Sequence, residues 1–246
     1  MAIYLARLMT LLTLVLSIGN AYAVDKNIEA NVGGTRIAIP EPKNYSDPSP
    51  MIPSVRKFGE NMTASTNRLL GFFMSDDDVK ALLAQTAPQL HRYFMVQTLR
   101  ATEDTLMTAQ EFSVVRDQLK NQYKKLFDDH AALMQSEINR AVDRITKDGK
   151  TNQATDLNLK LGEMKVLEVL SDDRYVSLVA KTLVQATVNG EIKQIPMALG
   201  MTSTMVKGKV IYFFSYARFN SDEDIHWIKA QVTAWIPLLF AANKSE

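Results

Sequence analysis

The sequence predicts an α+β fold: a mainly antiparallel sheet covered by helices, with one long amphipathic helix among them. Three observations carry this. Strand-like segments between residues 164 and 217 follow one another with only turn signals between them, leaving no room for crossover helices. An apolar seam at three- and four-residue steps runs through residues 108–146. A capped helix with one apolar face closes the chain.

The N-terminus reads as an export signal. Arg7 is the single charge before residue 24, and Leu8 to Ile18 form an apolar core too short for a span of about 20 residues. Ala21-Tyr22-Ala23 supplies the small-x-small pattern that signal peptidase accepts. The expectation is a signal peptide over residues 1–23 and a single domain over 24–246, periplasmic or secreted from a bacterium. The chain has no cysteine, which excludes lipid anchoring through an N-terminal cysteine and argues against a disulfide-stapled animal secretory domain. Without Arg7, 27 basic residues face 27 acidic ones. That balance argues against non-specific nucleic-acid binding, which rests on a basic face.

Taken in order, Thr35 to Ile39 alternates like a half-buried strand. Residues 40–66 read as loop, punctuated by Pro40, Pro42, Pro48, Pro50 and Pro53. Arg68 to Met74 is an apolar strand, and Ser75-Asp76-Asp77-Asp78 starts a short helix over Val79 to Ala84. Arg92 to Leu99, rich in aromatic and β-branched residues, is another strand. Thr108-Ala109-Gln110-Glu111 is a capping box opening the long helix, and Asp148-Gly149 stops it. Straight, it would run roughly 57 Å, so it breaks, projects or finds a partner. Residues 150–160 read as polar and without structure. Strands follow over Met164–Leu170, Tyr175–Val188, Met197–Val206 and Lys209–Ala217, with turns at Asn189-Gly190 and Lys207-Gly208. The last helix is capped at Ser221 and is expected to kink or end near Trp235, ahead of Pro237.

Several of these segments carry a resemblance. Ile37-Ala38-Ile39-Pro40-Glu41-Pro42, Asn67 to Phe73, Arg92-Tyr93 with Val96-Gln97, Gly208-Lys209-Val210, Asp224 to Trp227 and Ala241-Ala242-Asn243 resemble a group of exported bacterial proteins of uncharacterised function. The element order is similar to the PsbP/Mog1 type of α-β-α sandwich. The resemblance implies a fold and an exported location, and no motif in it is catalytic.

Standard chemistry is sparse. His91, His130 and His226 are scattered and never paired at ligand spacing, so no metal centre is expected. Ser75 to Asp78 reads as a helix cap in preference to a calcium loop, since no glycine or distal glutamate completes that pattern. Gly33-Gly34 reads as a turn, and Asp148-Gly149-Lys150-Thr151 lacks the glycine spacing of a phosphate loop. Ser215, Asp224 and His226 do not form a triad pattern, because Asp224 and His226 are two apart on a helix. No catalytic residue, cofactor or metal is therefore assigned, and an enzyme is disfavoured. Two readings stay open. One is a non-enzymatic domain that binds a partner protein or envelope component through the helix seam at Tyr123, Leu126, His130 and Leu133, with homo-oligomerisation through that helix as one form. The other is a carrier of a small apolar ligand, held by Tyr212, Phe214, Tyr216, Trp227 and Trp235 in a cleft between the sheet and the C-terminal helix.

Overall fold

The computed structural model describes residues 27–148, 157–188 and 190–244, so the expected signal peptide lies outside the described residues. The domain begins with a hairpin, β1 (Asn27–Val32) and β2 (Thr35–Pro40), turning at Gly33-Gly34. Gly33 has φ +50°, and a Cβ there would fall 1.9 Å from the Glu103 carbonyl oxygen. Only glycine lets the turn sit against that backbone. β1 was not expected, although Asn27, Glu29 and Asn31 alternate strictly with Ile28, Ala30 and Val32 along it.

The stretch read as loop over 40–66 holds more structure than its prolines suggest. It contains β3 (Tyr45–Ser46) and α1 (Pro53–Met62). Pro53 occupies the first turn of α1, where a missing N–H leaves nothing unsatisfied, so the same residue that reads as a breaker is a helix start. Then come β4 (Asn67–Ser75), α2 (Asp76–Leu83), β5 (Arg92–Leu99) and α3 (Ala109–Asp148). The rest is β6 (Leu157–Leu161), β7 (Lys165–Ser171), β8 (Tyr175–Val188), β9 (Glu191–Val206), β10 (Lys209–Arg218) and α4 (Asp222–Ala242).

The main sheet is antiparallel throughout, in the order β3-β4-β5-β10-β9-β8-β6, with β7 also paired to β8. β6 and β7 are two stretches of one interrupted edge. β6 pairs with Val184 to Val188, β7 with Val176 to Lys181, and Gly162-Glu163-Met164 lie between. The gap is bridged where the Gly162 N–H donates to the Leu183 carbonyl and the Thr182 hydroxyl donates to the Gly162 carbonyl. β6 corrects the expectation of unstructured residues over 150–160, since its apolar Leu159 and Leu161 alternate with polar neighbours. β9 begins six residues earlier than expected. Pro196 is tolerated because β10 ends opposite Met197, so its missing N–H breaks no ladder bond.

Strand alternation divides the core in two. Ile211, Phe213 and Ala217 face the β1–β2 hairpin and α4, together with Phe73, Phe94 and Val96. Phe72, Met74, Tyr93 and Met95 face α1 and α2. The expected α+β class, a mainly antiparallel sheet covered by helices with one long helix, is what the structure shows. α4 passes through Pro237 to Ala242, so of the expected kink or end near Trp235 the end does not occur. Its C-terminal half is anchored: the Trp235 indole donates to the Pro40 carbonyl at 2.9 Å, and the Asn243 amide donates to the Ala38 carbonyl at 2.6 Å. Such tertiary anchoring overrides the local cost of proline.

α3 is tied along its length. The Met107 N–H donates to the Gly208 carbonyl just before it begins, and Phe112 is buried in its first turn. Towards its end Glu137 accepts from the Ser65 N–H and hydroxyl, and Arg144 donates to the carbonyls of Asn61 and Thr63 at the end of α1. Among the described residues no helix is long and apolar enough to cross a membrane.

Candidate functional site

The five aromatics expected to line one cleft are separated by the sheet. On β10 the side chains of Tyr212, Phe214 and Tyr216 alternate with those of Ile211, Phe213 and Ser215. Trp235 stacks on Phe213, centroids 4.2 Å apart and planes at 12°, on the α4 side. Trp227 is on that side too, beside Phe94 and Tyr45. Tyr216 instead stacks on Tyr93 at 4.7 Å on the opposite face, where burial pushes both phenols up. Residues two apart on a strand share a face, and those one apart do not, so no single cleft takes all five. Trp235 is 1% exposed and serves the core.

The seam on α3 fares differently. Tyr123 and Leu126 are half-buried, while His130 and Leu133 are exposed, Leu133 at 51%. Tyr123 opens onto a cleft of about 340 Å³ between α3 and the β6–β7 junction. Phe127, Ala131, Met134, Leu161, Met164 and Val166 supply its remaining apolar surface. Lys124, Asp128, Glu163 and Lys165 supply two positive and two negative rim charges. The size suits a small ligand or a few side chains of a partner, and the rim carries no net charge to select an ion. The β6–β7 interruption makes the cleft, because the chain leaves the ladder at Glu163 and Met164.

Gln135 closes one end. Its amide donates to the Leu159 carbonyl and accepts from the Leu161 N–H, both at 2.9 Å. Sequence reasoning missed Gln135, Phe127 and Met164. Phe127 follows Tyr123 by four residues, a spacing that could have found it. Nothing local marks Gln135 or Met164, since the role of Gln135 comes from a strand 24 residues away and that of Met164 from the helix across the cleft.

A second, wider depression lies where α2, α4, β5 and β10 meet, about 730 Å³ in volume. Its charges are largely committed. Arg92 donates to Asp224 at 2.7 Å and lies over the Trp227 ring at 4.8 Å. Burial raises the Asp224 carboxyl, but the Asn220 N–H, Arg92 and the Ser221 N–H outweigh this and hold it below its ordinary value. Asp78 accepts from the Ser75 hydroxyl and the N–H groups of Gln89 and Leu90, as a helix-cap and loop-closing residue. Tyr45, at the same rim, is pushed up to about 12 by burial, against the lowering effect of Arg92. Among the described residues no three His, Asp or Glu side chains converge to hold a metal ion. His130 and His226 are exposed, and His91 pairs with Gln89 at 2.7 Å.

No protein-family model matches the chain, and no curated protein matches it. Among solved structures, the Ran-binding protein Mog1p of Saccharomyces cerevisiae is similar over 88% of this chain and 90% of its own, at 10% identity and a TM-score of 0.26. The fold class of this chain stands on the strand order and layers described above.

Proposed function

We propose that this chain is an exported, non-enzymatic domain that binds a partner protein or envelope component on the face formed by α3 and the β6–β7 edge. The observation that carries it is an uncovered apolar seam on the helix that walls a formed cleft: Leu133 and His130 in solvent, Leu126 half-buried, and Tyr123 half-buried at the edge of about 340 Å³ of space. A large apolar side chain exposed on a helix flanking a cleft supports recognition of another surface. Export rests on the N-terminal pattern ending in Ala21-Tyr22-Ala23, and its direct check is whether the mature protein begins at Val24.

Replacing Leu133 and Leu126 with glutamate tests the binding face. Affinity-tagged protein is expressed in its own host, chemically cross-linked and analysed by mass spectrometry. A cross-linked partner present with the wild type and absent with the double variant is the expected result. An identical partner set for both would overturn the reading.

The carrier reading moves to the same cleft, whose apolar lining and volume favour it over the divided aromatics of β10 and α4. Native mass spectrometry separates the two. A retained small mass lost on Phe127→Ala would favour the carrier, and a second polypeptide the partner.

A further inference from the structure

β9 is longer than the strand beside it. β10 ends at Arg218, opposite Met197, whereas β9 begins six residues earlier at Glu191. Past Met197 that side of β9 has no strand, and Gln89, Leu90 and His91, which lead into β5, form the opposing wall of a cleft of about 560 Å³. Register sets its charges and its floor on one face. Arg218 lies opposite Met197, and Ile195 and Lys193 precede Met197 at two-residue steps. Leu90, Ile195 and Met197 are half-buried and supply an apolar base.

Two of the lining residues, Arg218 and Lys193, are cations, and none is a carboxylate. Among the described residues neither cation enters an ion pair. The carboxylates of the neighbouring depression are engaged elsewhere: Asp224 by Arg92, Asp77 by Lys80 at 2.9 Å, and Asp78 by the Ser75 hydroxyl and loop amides. The wall facing β9 is also strained. Leu90 has φ +49°, a left-handed conformation that a bulky residue rarely adopts. Asp78 keeps it there, accepting from the Gln89 N–H at 2.7 Å and the Leu90 N–H at 3.3 Å. Strain fixed in this way concentrates at the walls of binding sites.

We propose that this cleft binds a small organic anion, with a carboxylate head on Arg218 and Lys193 and an apolar body over Leu90, Ile195 and Met197. A guanidinium takes a carboxylate through two parallel N–H donors. A cleft lined by one sign of charge concentrates ligands of the other. The site shares no residue with the α3 cleft, so either can fail alone.

Octanoate is the probe, with 1-octanol as its neutral counterpart and inorganic phosphate as an anion without a body. Amide NMR follows each titration of the purified protein. Octanoate should bind with a Kd below about 1 mM, moving the Leu90, Ile195 and Arg218 amides most. Octanol and phosphate should each bind at least about tenfold more weakly. Arg218→Gln should weaken octanoate about tenfold, and Arg218→Lys should recover part of that loss. Lys193→Gln should weaken it several-fold. Lys120→Gln, at an exposed lysine outside the cleft, should leave it unchanged. No saturable octanoate binding up to about 5 mM would overturn the proposal. So would octanol or phosphate binding as tightly as octanoate, or an unaltered Kd in a natively folded Arg218→Gln protein. Should Arg218→Gln fail to fold, Lys193→Gln decides by the same criteria.

Discussion

Asp224 fastens three things at once: the loop before α4, the first turn of α4 and, through Arg92, the start of β5. It is 5% exposed, and asparagine keeps only one acceptor oxygen, so either Arg92 or the pair of N–H groups would face an amide NH2 instead. Asp224→Asn is expected to destabilise the domain by about 1.5–3 kcal/mol in denaturant unfolding. The sign with pH follows from the lowered carboxyl. Its contribution is fully present above the ordinary value of 3.8 and is lost as pH falls through the depressed folded value. Wild type and Asp224→Asn should therefore converge in stability on acidification below about pH 4; a constant gap down to pH 2 would refute this. Trp235 acts at the same scale through packing: its ring stacks on Phe213 and its indole N–H is used. Trp235→Ala should cost about 3–5 kcal/mol, checked by the same unfolding measurement.

At the level of elements, α3 shows what local sequence can and cannot convey. Its start is legible because the capping box is a four-residue event: Thr108 and Glu111 bond reciprocally, as their types require. What holds its far end is not legible. Arg144 donates to Asn61 and Thr63, more than 80 residues earlier, and no periodicity encodes that. Arg144→Ala should loosen α1 from α3 and cost about 1–3 kcal/mol. Faster amide exchange in both helices, with α4 unchanged, would confirm that it is this junction which opens. β6 was hidden for a related reason, since a strand of five residues gains its meaning from pairing with Val184 to Val188. α1 was hidden by Pro53, whose chemistry serves equally for a turn and for a first helical turn.

For the whole molecule, class and layer order were readable, because hairpin-linked strands between capped helices permit few other arrangements. The site was only half readable. Periodicity identified the α3 seam, of which Tyr123 does line the cleft. Composition grouped the aromatics near the C-terminus, and strand parity then sent Tyr212, Phe214 and Tyr216 to one side and both tryptophans to the other. Aromatic density alone carries no side. The proposed binding face makes a further expectation at this scale: Leu133→Glu should leave the unfolding free energy within about 0.5 kcal/mol of wild type, because the side chain is 51% exposed. A large loss of stability would mean that the seam is covered by the domain itself and is not a free surface.

The clasp between Asn243 and Ala38 also sets an order of events in time. It joins residues 205 positions apart, so the N-terminal hairpin cannot gain its final backbone partners until nearly the entire polypeptide has been made. Closing so long a loop is entropically expensive and comes late in folding. A chain still being synthesised would leave Ala38 of β2 without that partner. The C-terminal end of α4 then acts as the fastener that completes the domain.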